Sequence, residues 1–225
     1  MRVTTVVLLA VVGLGRLAGA QADSSTVAAP RDGGRTSLGA WVGVARHAPG
    51  GPFGAAVGND VSLVALRMTR TLHAGRRWAL DHTADLVPAA WLSVRAEERV
   101  QLDCSDDPIP GPACRFEYRG GGEHQVYGVG AAPVGLQLRF VAGRWVQPYL
   151  GAAGGVLWFA ESVPQEGAAR LNFTGEAGAG LLVTPSRHLG VQVGYKLQHI
   201  SNGGTRPLNP GLDSHMLHVG VMRRP

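Results

Sequence analysis

The sequence predicts an all-β fold, an eight-stranded antiparallel transmembrane β-barrel that forms one domain over residues 36–225. Three observations predict it. Apolar and polar residues alternate with period two over eight segments, each bounded by turn residues, which is the pattern of strands with two unlike faces. The connections alternate between short and long, as in outer-membrane barrels with tight periplasmic turns and longer external loops. Glycine is abundant, at 33 residues, and lysine is confined to Lys196. Glycine-rich strands suit a small barrel with tight curvature and a crowded interior.

The residues ahead of the barrel read as an export signal. Arg2 is a charged n-region, Val3 to Leu14 an apolar h-region, and Ala18-Gly19-Ala20 a small-residue cleavage site, with Ala20-Gln21-Ala22 as an alternative cut. The apolar run is shorter than the roughly 20 residues of a helical span. Residues 1–20 are therefore expected to be a signal peptide, and 21–35, polar and small, a flexible periplasmic lead. Later apolar stretches are broken by Gly, Arg, Gln, Asp or His every few residues, so no helical span is expected there. The location implied is the outer membrane. Without Arg2 and Arg16, 19 basic residues stand against 16 acidic ones, a mature charge of about +3. That is too mild to indicate a nucleic-acid partner.

The strands are expected at about Thr36 to Ala45, Val61 to Leu72, Arg77 to Val94, Gln125 to Val141, Val146 to Ala160, Leu171 to Val183, His188 to Ser201 and Asp213 to Met222. The longest connection carries the only two cysteines, Cys104 and Cys114, around Ser105 to Ala113. In an oxidising compartment a disulfide closing this loop is expected. A metal pair is not, because no histidine or further cysteine lies at ligand spacing. The five tryptophans fall mostly near strand ends, as an interfacial aromatic belt would.

The last quarter carries the candidate chemistry. His199 and Ser201 are two apart, so in a strand they share a face. Asp213 opens the next strand beyond a loop rich in Gly, Pro and Asn. Nucleophile, base and orienting carboxylate are the three groups of a serine hydrolase. Alternation sets their direction. In the seventh strand Leu189, Val191, Val193, Tyr195 and Leu197 form the apolar face, and two more steps along it reach His199 and Ser201. In the eighth, Leu217, Val219 and Val221 lead back through His215 to Asp213. A small barrel is polar or small inside and apolar outside, so all three groups face lipid, provided neither strand is bulged. Lys196, Gln192 and Gln198 then point inward.

The run His199-Ile200-Ser201-Asn202-Gly203-Gly204, followed by Asn209-Pro210-Gly211 and Asp213, resembles the signature of the PagL family of outer-membrane lipid A 3-O-deacylases, also called acyloxyacyl hydrolases. The resemblance implies His199 as base, Ser201 as nucleophile and Asp213 as the acid. The family carries glutamate where Asp213 stands, so the carboxylate is one methylene shorter here. It also implies an oxyanion hole near Asn202 and Gly204, lipid A or lipopolysaccharide in the outer membrane as substrate, and no cofactor or metal. A homodimer stays open. The alternatives are a non-enzymatic eight-stranded barrel, structural, adhesive or a narrow pore, and an enzyme of the same kind acting on another lipid or acyl chain.

Overall fold

The computed structural model describes residues 34–75, 77–105, 113–142 and 144–225, with backbone alone over 95–105 and 113–121. The expected signal peptide and most of the lead fall outside the described residues. Eight strands follow in order: β1 (Thr36–Ala45), β2 (Val61–Ala74), β3 (Trp78–Ser105), β4 (Ala113–Phe140), β5 (Val146–Val163), β6 (Ala169–Val183), β7 (Leu189–Ser201) and β8 (Leu212–Arg223). Each pairs antiparallel with the next and β8 returns to β1, where Leu38 faces Arg223 and Val44 faces Leu217, so the sheet closes into a barrel. Closure leaves no open sheet edge within the barrel wall among the described residues.

The outer wall is apolar. Leu66, Leu86, Val134, Leu150 and Leu217 are each more than half exposed. A water-soluble domain would bury such a belt, whereas lipid covers it. The interior is filled. Arg67 grips Asp85 through two bonds of 2.7 and 2.6 Å, and Arg139 meets Asp81 and Gln147. Lys196 bonds Glu176 at 2.6 Å, and Gln192 reaches Gln137. These buried charges are paired, as their desolvation requires. Lys196, Gln192 and Gln198 point inward as alternation predicts.

Three expectations are corrected. The loop expected between Val94 and Gln125 is mostly strand, because β3 and β4 continue as a long hairpin that puts Glu98 opposite Arg119 and Cys104 opposite Cys114. Beyond the membrane neither face of a hairpin has to be apolar, so Arg95 to Arg99 reads as loop and still pairs. The cysteine side chains lie outside the described residues. Trp41 is not interfacial. It is 4% exposed inside the barrel, with its Nε1–H on Asp85 at 3.2 Å and Lys196 Nζ 3.6 Å from its ring centroid. An indole serves there as an apolar wall that both donates a hydrogen bond and accepts a cation. Finally, the interior is not polar throughout. Toward the long-loop end Leu92, Val126, Phe159, Ile200, Leu212 and Met216 form an apolar plug.

Candidate active site

The site is built at the plug's rim. Ile200 and Leu212 are almost fully buried in the plug. Their neighbours His199, Ser201 and Asp213 must therefore face the other way. The register from β6 through β7 to β8 runs without a bulge: Phe173 faces Ser201, Gly175 faces His199, and His199 faces Asp213. Strand parity puts all three on the outward side of the sheet, where His199 and Ser201 are partly exposed and Asp213 is covered by a loop. Down the same wall follow Leu197 opposite His215, then Tyr195 opposite Leu217. Tyr195 and His215 are hydrogen-bonded to each other.

His199 Nδ1 lies 2.6 Å from Asp213 Oδ1. A carboxylate only accepts, so Nδ1–H donates and Nε2 is left with its lone pair. That is the tautomer a general base needs. Ser201 ends β7 on the same face, half-buried. Among the described residues its hydroxyl has no hydrogen bond to His199, a contact that often forms only once substrate is bound. Beside His199 on β6, Gly175 leaves open space where a side chain would stand.

Asp213 follows outward parity yet its side chain is fully covered. The cover is the connection between β1 and β2. Phe53 N–H and Gly54 N–H each donate to Asp213 Oδ2 at 3.0 Å, and the Phe53 ring sits edge-on to His199 at 5.9 Å between centroids. Sequence reading missed these partners. Both act through backbone N–H groups, which leave no residue-type signature beyond the glycines of Gly50-Gly51-Pro52-Phe53-Gly54.

The donors expected for an oxyanion are engaged within the β7–β8 loop. Asn202 Nδ2 donates to Leu208 O at 2.8 Å, and Gly204 N–H to Asn202 Oδ1 at 2.9 Å. Asn209 Oδ1 accepts from Asn202 N–H. The Asn202 amide holds a second N–H. The single N–H of Gly204 stabilises the loop in this arrangement.

Comparison with known proteins follows the same outline. The model of a family described as "Lipid A 3-O-deacylase (PagL)" matches residues 65–222. No curated protein matches. Among solved structures, the outer membrane enzyme PagL aligns at 20% identity and a TM-score of 0.53, over 82% of this chain and 97% of that one. Neisserial surface protein A aligns at 12% and 0.42, over 86% and 98%. The attachment invasion locus protein Ail of Yersinia pestis aligns at 14% and 0.38, over 86% and 100%. The family match takes in every strand from β3 to β7 and both sides of the His199–Asp213 pair, and on that span the chain belongs to the PagL family of lipid A 3-O-deacylases.

Proposed function

We propose that this protein is a serine esterase of the outer membrane that removes the ester-linked fatty acid at position 3 of lipid A in the outer leaflet. The observation that carries the reading is the His199–Asp213 pair on the outer wall beside Ser201. A structural barrel gains nothing from a buried carboxylate bonded to a histidine there, and desolvating it costs free energy. Buried bonds between strands that are not neighbours, from Gln192 on β7 to Gln137 on β4 and between Tyr149 on β5 and His218 on β8, cross the space that a pore needs.

His199 Nε2 takes the Ser201 proton as Oγ attacks the ester carbonyl. Asp213 holds the ring and stabilises the imidazolium that forms. The tetrahedral oxyanion needs donors. The second N–H of Asn202 is one candidate, and Gly204 N–H is another if it leaves Asn202 Oδ1. Collapse expels the sugar hydroxyl, which takes its proton from His199. Water, activated by the same histidine, then hydrolyses the acyl-enzyme and frees the 3-hydroxy fatty acid. No step calls for a metal or an organic cofactor. The acyl chain lies down the apolar wall, past the gap at Gly175.

The test is the mass spectrum of lipid A from a Gram-negative host expressing the full chain. Loss of one 3-hydroxyacyl mass is expected, and Ser201→Ala should abolish it while the barrel still assembles. Release that survives Ser201→Ala would rule out this nucleophile.

A further inference from the structure

Strand parity alone would leave Asp213 on the outer wall with His215 and Leu217, both exposed. It is instead buried, with three donors on two oxygens: His199 on Oδ1, Phe53 and Gly54 on Oδ2. The loop that supplies two of them is itself tied down. Gly51 N–H closes a turn onto Gly54 O at 2.8 Å. Ala55 N–H bonds Pro210 O at 2.6 Å and Ala56 N–H bonds Gly211 O at 3.0 Å, extending to a parallel bridge between Ala56 and Leu212. At its base, His47 N–H and Arg46 hold Asp60, and Asn59 bonds Ser93 O.

Two positions need the absence of a side chain. A Cβ on Gly51 would stand 2.9 Å from Asp213 Cγ and closer still to Oδ2. A Cβ on Gly54 would stand 2.7 Å from the Asp213 backbone nitrogen. The loop therefore packs backbone against carboxylate. It also lies outside residues 65–222, the span matched by the family model.

We propose that Gly51, Phe53 and Gly54 are positioning residues for the esterase reaction: their backbone forms a clamp that seats the Asp213 carboxylate against His199. The proposal rests on the reading of Ser201, His199 and Asp213 as the reacting set. Two N–H groups fix one oxygen, so the other cannot rotate off Nδ1. The shorter carboxylate of this chain is seated by the loop that comes to meet it.

The test is a double-mutant cycle on the full chain in outer membranes, read as fatty acid released from lipid A. Heat-modifiable gel migration confirms that each variant folds. Gly51→Ala should lower release by about 100-fold, as misplacing a reacting group by about 1 Å does. In an Asp213→Ala background the same change should add nothing, because the clamp acts only through that carboxylate. Equal losses in both backgrounds, or full activity of Gly51→Ala, would overturn the proposal. A second readout needs no turnover. In micelles, the downfield proton resonance of His199 Nδ1–H should be present in the parent chain and in Ser201→Ala, and lost in Gly51→Ala. Its persistence in Gly51→Ala would also overturn the clamp. A chain that shows this resonance but no Ser201-dependent release refutes the esterase reading and leaves the clamp standing as a structural contact.

Discussion

A single methylene decides the fit at Asp213. With Gly51 and Gly54 packed on the carboxylate, a longer side chain has no room to reach the same seat. Asp213→Glu, which restores the residue type that the family resemblance implies, should therefore lower activity by at least about tenfold, with overpacking and a displaced carboxylate as the cause. Asp213→Asn should cost more, because an amide can present its N–H to His199 and favour the wrong tautomer. Initial rates of fatty-acid release from purified lipid A measure both. At this scale the sequence was informative where residue type carries the chemistry. The outward parity of His199, Ser201 and Asp213 was legible from alternation, because in unbulged strands Leu189 to Leu197 set the face of the first two and Leu217 to Val221 that of the third. Trp41 was not: its place depends on Asp85 and Lys196, far off in the chain, and an indole near a strand's middle reads the same inside or outside.

At the scale of elements, the β1–β2 loop is bonded to the candidate site through Asp213. Its footing is Asp60. Burial pushes this carboxyl up, but His47 N–H and the Arg46 guanidinium outweigh it and hold it below the usual carboxylate value. A depressed folded value means a contribution present at neutral pH and lost as pH falls through that value. Asp60→Ala should loosen the loop at neutral pH, and the difference from the parent chain should shrink at low pH. Activity should fall several-fold, and limited proteolysis should cut between Arg46 and Val61 where the parent chain resists. Arg46 is half exposed, so Arg46→Ala should matter less. The hairpin of β3 and β4 shows why element boundaries were only partly legible. Within the bilayer, lipid on one side forces apolar residues onto one face, and strand limits could be placed there. Beyond Val94 that constraint is gone and only pairing remains, which a single sequence does not display. The docking of Ala55 and Ala56 on Pro210 and Gly211 was invisible for the same reason, being made of backbone groups alone.

For the whole molecule, the interior pairs are the stake. Arg67 is nearly enclosed and its partner Asp85 more so. Asp85→Asn strands a buried guanidinium and leaves one oxygen where Arg67 and the Trp41 Nε1–H had two acceptors. The barrel should lose about 3–5 kcal/mol, seen as a lower temperature for the loss of heat-modifiable migration, while release per folded molecule stays within about twofold. The closed order of eight strands was legible in full, because alternation and loop lengths are global regularities. The apolar plug under the site was not, since a lumen expected to be polar gives no cue where it turns dry.

The face on which the proposed reacting groups lie has a kinetic consequence. On the proposed reading Ser201 and His199 open sideways onto the wall of the barrel, so a lipid substrate would arrive by diffusing in the plane of the membrane. The relevant concentration is then two-dimensional, the mole fraction of the lipid among its neighbours, and the volume of the surrounding solution drops out. Diluting the substrate with inert lipid slows such an enzyme, whereas diluting the suspension of membranes with buffer leaves each encounter as frequent as before.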